Sequence, residues 1–449
     1  MQNPTSANAG LPLRPLNVWW FSQYASTPDQ QFTTQYDLAK KLVERGHRVT
    51  FFSSGFSHYK FKELRLGEGE QWRAEDHGGV RFIWIRTPAY RSNDWKRAAN
   101  MLVYSWKAFR LALQIPDPPD LIIGTTFHPL ASLSACVTAV SRRKPFVFEV
   151  KDLWPLTAIQ FGQLSPRHPV AIALRLLDGF LARRASRIVT TLPGTAEYYA
   201  DRGVRAEKVA WIPNGLELSR YAAVRPYSGE ITGRCTLLYA GGHVSANGLE
   251  TILRAAEIQQ RDPRDVRFVF VGAGQEKPKL VRMAQDLRLA NVEFRDPVPK
   301  GELYRVMEEA DAFILSMRDI PDLYRYGMSF NKLCDYVSCG RPVLFAGNPS
   351  HNVVEEFQCG IVVFPERPEA FAAAIQRFLD MTPAERAAMG CNALRCARER
   401  FEIGALATRL EEMLLSVVNQ ARLRQPAARA LEDSSDALTQ NAPVTRSIQ

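Results

Sequence analysis

"CTLLYAGGHVSANGLETILRAAEIQQRDPRDVRFVFVGAG", Cys235 to Gly274, is the stretch that decides the fold. Its opening apolar run suits a strand buried on both faces, and "LETILRAAEIQQ" spaces its apolar residues by three and four, as a helix does. "VRFVFVGAG" is a second apolar strand. Strand, helix and strand in that order form the crossover unit of a parallel sheet. Each strand ends in a glycine turn, Gly241-Gly242 and Gly272-x-Gly274. In such a sheet these turns stand at the carboxyl edge, where backbone amides and a helix N-terminus can face an anion. The G-x-G lacks a third glycine in register, so as a dinucleotide fingerprint it is weak, and no G-x-x-x-x-G-K-[ST] occurs.

Towards the C-terminus the grammar continues through the strands "VEFRDPV", "DAFILSM", "RPVLFAG" and "GIVVF", with helices between them. The stretch "SFNKLCDYVSCGRPVLFAG", Ser329 to Gly347, puts Lys332 and Asp335 three apart on a short helix that stops at Gly340. A solvated surface ion pair and a ligand-facing pair both fit that spacing. Towards the N-terminus, "KVAWIPNGLELSRYAAVRPYSGEITGR" is broken by Pro213, Gly215, Pro226, Gly229 and Gly233 and reads as a linker. Before it the strands "LNVWWFSQYA", "RVTFFSS", "VRFIWIRT", "PDLIIGTT", "PFVFEVKDLW" and "SRIVTTL" alternate with helices. The expected architecture is α/β, two Rossmann-like parallel-sheet domains facing across a cleft. Its divisions are a flexible N-terminus (1–15), a first domain (16–212), a linker (213–234), a second domain (235–400), a C-terminal helix (401–424) and a disordered tail (425–449).

A chain of 449 residues is too long for one core. The seven cysteines are odd in number and lack a C-x-x-C pair, which indicates neither a disulfide framework nor a zinc site. The start, "MQNPTSANAGLPLRPL", lacks the charged head and long apolar core of a signal peptide. The uncharged run Leu121–Ser141 has the length of a membrane span, but the Gly, Thr, His and Pro in its middle make it a strand, a loop and a helix. A formal charge of +10 is unevenly placed, concentrated on the amphipathic stretches Trp95–Leu113 and Arg167–Arg187. Such helices suit an anionic membrane surface; a core face with a solvated basic rim is the other reading. They carry no interleaved base-stacking motif, so no nucleic-acid partner is expected.

In order and spacing, "LAKKLVERGHRVTFFSS", "FEVKDLWP", "IPNGLEL", "LLYAGGHVSANGLETILRAA", "FVGAGQEKPKL" and "NKLCDYVSCGRPVLFAG" carry a family likeness. From Leu16 to about Val418 the chain resembles the retaining GT-B glycosyltransferases of family four, bacterial surface-polysaccharide type, with the D-L-W-P segment at Asp152–Pro155. The resemblance implies a nucleotide-sugar donor held mainly by the second half and an acceptor held mainly by the first. It places Asp335 on the ribose hydroxyls, Lys332 at the diphosphate, and the backbone at Gly241, Gly242, His243, Gly272 and Gly274 around the phosphates, with Asn331 opening the same helix.

Two departures stand out. Gly327 replaces the first acid of the family's E-x-x-x-x-x-x-x-E pair, and Gly242, His243 and Asn247 stand where an Arg and a Lys are usual. Lys332, Arg318 or Arg325 are the candidate substitutes. In the first half, His128, Glu149 and Asp152 end or follow strands at the cleft edge. His128 and Asp152 are candidates for catalysis with Lys332, and Glu149 and Asp152 for the acceptor side; a turn His or Asp that caps its own loop is the competing reading. The implied activity is retaining transfer of a sugar to a polyprenyl-diphosphate-linked saccharide, by an enzyme in the cytoplasm on the inner membrane face, without metal or cofactor. The alternative is a GT-B-type epimerase or hydrolase of free nucleotide sugar.

Overall fold

Apolar runs flanked by turn residues build two separate sheets, as strands buried on both faces must. The computed structural model describes residues 14–29, 33–58, 60–91, 95–299 and 301–440. Residues 1–13 and 441–449 of the expected termini lie outside the described residues. In the first half the strands are β1 (Asn17–Phe21), β2 (Arg48–Ser54), the small pair β3 (Phe56–Ser57) and β4 (Lys62–Glu63), β5 (Trp72–His77), β6 (Val80–Ile85), β7 (Leu121–Thr125), β8 (Phe146–Val150), β9 (Arg187–Thr190) and β10 (Val209–Trp211). Eight of them form one sheet in the order β10-β9-β8-β7-β1-β2-β6-β5. All pairs are parallel except β5 with β6. The sequence reading passes over β5 because "WRAEDH" is a mostly exposed edge strand without an apolar run.

The second half holds β11 (Cys235–Ala240), β12 (Val266–Val271), β13 (Val292–Arg295), β14 (Ala312–Ser316), β15 (Val343–Ala346) and β16 (Gly360–Val363). This sheet is parallel throughout, in the order β13-β12-β11-β14-β15-β16. In each sheet the first strand lies inside, with its successor on one side and a later strand on the other. The carboxyl ends of β1 and β11 are therefore topological switch points, where crevices open.

Leu121–Ser141 is β7, a turn and the helix Pro129–Ser141, as its composition requires. Among the described residues no helix is long and apolar enough to cross a membrane.

The chain crosses between the halves twice, and the crossings pair. Leu216 N–H donates to Phe401 O at 2.9 Å, and Ile403 N–H donates to Leu216 O at 3.1 Å. Gly215 fits there because a Cβ would lie 2.4 Å from Leu406 Cδ1 and 2.6 Å from Phe401 O. The last helix, Ile403–Gln440, then packs Leu406, Leu410 and Leu414 into the first half's core beside Tyr36, Leu38 and Leu42. Glu411 fastens it, bound by Arg45 at 2.6 Å and His47 at 2.8 Å. The helical backbone passes the expected boundary at 424 and continues to Gln440.

Candidate active site

Between the two halves lies a cavity of about 380 Å³. Tyr24, Asp152 and Trp154 wall it from the first half and Asn331, Cys334 and Asp335 from the second. Asn214 and Gly215, from the first crossing, border both.

Asp335 projects from the helix Asn331–Ser338 and is 6% exposed. Its Oδ1 accepts the Tyr221 hydroxyl at 2.5 Å. Burial, with the Asp335 charge second, pushes the Tyr221 phenol far above its ordinary value, so it stays a donor. The preceding residue, Arg220, donates to both oxygens of Asp37 at 2.6 and 2.9 Å, and Asp37 also lines the cavity. Two consecutive linker side chains thus grip the two halves, one each. Bidentate guanidinium pairs of this kind are the strong, oriented ones.

Lys332 is on the same helix but turns to different partners. Its Nζ donates to Tyr239 Oη at 3.0 Å and to Asn247 Oδ1 at 2.8 Å. Tyr239 Oη and Asn247 Nδ2 each donate to Gly242 O at 2.7 Å. The ammonium is therefore tied to the turn after β11. Burial lowers the Lys332 pKa to about 7, which leaves it half-neutral without an anion beside it. Gly241 lies against the lysine stem, where a Cβ would be 3.1 Å from Cε. At Gly242 a Cβ would meet nothing closer than 3.8 Å, so a phosphate can approach there.

The other glycines serve a different purpose from the one their sequence position suggests. Gly241 N–H donates to Val271 O and His243 N–H to Ala273 O, at 3.0 and 2.9 Å, so these amides are spent inside the protein. A Cβ on Gly272 would lie 2.1 Å from Gly241 O, and one on Gly274 2.1 Å from His243 O. They let the turn after β12 press against the turn after β11. His243 itself does not face a ligand. It is fully buried, its ring stacked 5.7 Å from that of Tyr239 and packed near Phe270 and Phe294. Burial, then Lys277 and Lys332, lower its pKa to about 4 and keep it neutral.

Neither candidate arginine reaches the cavity wall. Arg318 pairs with Glu366 at 2.8 Å, and Arg325 pairs at 2.6 Å with Glu197 of the first half. Beside the latter, Gly194 N–H donates to Tyr326 O at 3.0 Å, so this contact bridges the two halves.

In the first half, Asp152 is the expected residue that the structure does bring to the cavity. It is exposed to the cavity's solvent, yet it lies deep between the halves, and the surrounding protein raises its carboxyl to about 6 despite Lys151. Glu149 is 2% exposed and does not line the cavity. Its Oε2 accepts from Trp20 Nε1 (2.9 Å), Gln35 Nε2 (2.6 Å) and Thr125 Oγ1 (2.6 Å), while Lys151 holds Oε1 at 2.8 Å. With these partners it is a structural carboxylate. His128 is the N-cap of Pro129–Ser141, accepting from Ala131 N–H through Nδ1 and donating from Nε2 to Gln23. Burial, with Arg97 second, holds its pKa at about 3. It sits behind Tyr24, in the second layer of the wall. The sequence reading missed Tyr221, Arg220 and Asp37. No local pattern marks them, since Arg220 and Tyr221 share the linker with other long polar side chains such as Arg225 and Tyr227.

Two parallel-sheet domains, crossed twice by the chain and with a cavity between them, define the GT-B architecture. Residues 33–215 match the glycosyl transferase 4-like domain and residues 234–381 match glycosyl transferases group 1. The chain is a glycosyltransferase of the family-four type. It is 25% identical over 279 residues to the "Putative colanic acid biosynthesis glycosyl transferase WcaI" of Escherichia coli (strain K12), covering 58% of this chain and 66%, just under two thirds, of that relative. Sucrose-phosphate synthase (tll1590) from Thermosynechococcus elongatus superposes with a TM-score of 0.69 at 18% identity, covering 90% of this chain and 100% of that one. Anabaena Alr3699/HepE in complex with UDP-glucose gives 0.64 at 17% identity, covering 89% and 100%. These two likenesses concern the fold.

Proposed function

We propose that the enzyme transfers a sugar from a nucleotide-sugar donor, with retention, to a hydroxyl of a polyprenyl-diphosphate-linked saccharide in surface-polysaccharide synthesis. One observation carries the donor reading: a single helix, Asn331–Ser338, sends Asp335 into the cavity between the halves and Lys332 to the open glycine turn at Gly242. An ionised carboxylate suits two ribose hydroxyls, and a partly desolvated ammonium suits the diphosphate. Asp152, on the facing wall, orients the acceptor. In the reaction the acceptor oxygen bonds to the anomeric carbon on the face the nucleotide leaves, the carbon–oxygen bond to the diphosphate breaks, and a diphosphate oxygen takes the acceptor proton. Lys332 stabilises the charge that develops on the leaving group.

The membrane-bound acceptor is supported by the outer helices of the first half. On Trp95–Gln114, Trp95 is 74% exposed, Leu102 and Trp106 are each 56% exposed, and Arg110 stacks on the Trp106 ring at 4.9 Å. Apolar side chains beside basic ones suit an anionic bilayer surface at the inner membrane face. The test is transfer of label from a panel of nucleotide sugars to lipid-linked saccharide in vesicles. Labelled lipid with the donor's anomeric configuration supports the reading. Turnover of free nucleotide sugar with no lipid product points instead to an epimerase or hydrolase.

A further inference from the structure

A second charged concavity, of about 650 Å³, opens at the far edge of the first sheet. Its walls come from the amino ends of β8, β9 and β10, whereas Asp152 and Thr191 of the catalytic cavity follow the carboxyl ends of β8 and β9. Strands of four or five residues separate the two, roughly 15 Å, so the groove is no part of the donor or acceptor cavity.

Arg143 and Lys144 enter it from the end of Pro129–Ser141, and Arg183 and Arg184 from the end of Pro169–Arg184. Arg187, Arg205 and Lys208 come from β9 and the segment before β10, and Arg424 from the last helix. Among the described residues none of these eight cations is ion-paired with a carboxylate, and Glu207 is the single acid in the lining. Lys208 is held by Ala182 O and Arg183 O at 3.1 and 2.6 Å, and Arg187 by the Glu207 carbonyl. Arg143, Arg184, Arg205 and Arg424 are exposed. Like charges concentrated in this way repel one another unless an anion joins them.

The helices that deliver these cations also carry apolar side chains outward. Val137, Val140, Leu176 and Phe180 are 41%, 52%, 67% and 47% exposed, and Leu423, next to Arg424, is 78% exposed. A cationic groove whose supporting helices also turn apolar side chains to the surface is the pattern that meets a bilayer interface, phosphate against cation and acyl region against hydrocarbon.

We propose that this groove holds the phosphate headgroups of anionic lipid and so fixes how the first half is turned on the membrane. The inference rests on the membrane-surface reading above and adds a built site to it. The test is flotation of the full chain with vesicles of phosphatidylcholine containing 30 mol% phosphatidylglycerol, against pure phosphatidylcholine. For Arg184→Gln with Arg205→Gln, affinity for the anionic vesicles is expected to fall about twenty-five-fold, at roughly fivefold per lost cation. Melting temperature should be unchanged, and Arg184→Lys with Arg205→Lys should float like the wild type. Equal flotation of wild type and Gln variant, with Trp106→Ser alone losing it, overturns the groove assignment and keeps the membrane reading. No flotation of any form overturns both. If tripolyphosphate protects the groove while vesicle binding ignores the Gln substitutions, the site belongs to a soluble anion and the headgroup assignment is wrong.

Discussion

Tyr221 gives its hydroxyl to Asp335 across 2.5 Å while its neighbour Arg220 holds Asp37 with both terminal guanidinium nitrogens, Nη1 and Nη2. The linker is thereby fastened to Asp335 of the second half and to Asp37 of the first at once. Tyr221→Phe leaves a buried carboxylate without that donor, a loss of about 1–3 kcal/mol in denaturant unfolding. Donor KM is expected to rise several-fold. A double-mutant cycle with Asp335→Ala is the check: the two losses should fall short of additive, since each removes the same bond. Full additivity would mean that the contact carries no energy.

Two groups of the site titrate near neutrality from opposite sides. Asp152, raised to about 6, is a carboxylate above that pH; Lys332, lowered to about 7, carries its charge below that pH. The kcat/KM profile should therefore rise through about pH 6 and fall above about pH 7. Bound diphosphate favours the ammonium, so the alkaline limb of kcat is expected at higher pH than that of kcat/KM. Asp152→Asn should remove the acid limb and Lys332→Met the alkaline one. A limb that survives its own substitution contradicts the assignment.

Glycine substitutions separate support from contact. Gly272→Ala and Gly274→Ala each force a Cβ to within 2.1 Å of a backbone oxygen. Each is expected to cost roughly 2 kcal/mol or more of stability and to weaken donor binding through the displaced turn. Gly242→Ala has room, so it should melt like the wild type and lose nucleoside-diphosphate affinity alone. Melting curves beside calorimetric titrations distinguish the two classes.

Arg325→Ala tests a negative expectation. The pair with Glu197 is exposed on both sides, so its removal should leave the melting temperature and the donor KM near their wild-type values. A tenfold rise in KM would restore Arg325 to the donor site.

The halves and the four inner strands of the second sheet are legible in sequence because strands buried on both faces declare themselves as apolar runs. β5 is not, since an edge strand such as Trp72–His77 needs no apolar face. Asp335 and Asp152, which the structure brings to the cavity, stand out in sequence by their places on a helix beside a glycine stop and after a strand, whereas the partners of Lys332, Tyr239 and Asn247, do not. The glycine turns mislead in part: Gly272 and Gly274 are needed for contact between two loops, a tertiary cause that looks in sequence like a phosphate cradle. His128, Glu149 and His243 mislead for a related reason. A polar residue at a strand end can cap a helix, as His128 does, or serve a buried network, as Glu149 does with Trp20 and Gln35. Only packing tells these apart from a ligand contact. Tyr221 and Arg220 are invisible because their partners are more than a hundred residues away in sequence.

The central claim is that Asp335 holds the nucleotide at the edge of the second half. Its most direct test is calorimetric titration of UDP, GDP and ADP into the wild type and Asp335→Ala, with circular dichroism to verify the fold. Binding of one nucleoside diphosphate by the wild type, weakened at least tenfold in the folded variant, is the expected result. Equal affinity in the two proteins would contradict it and move the donor away from the helix Asn331–Ser338.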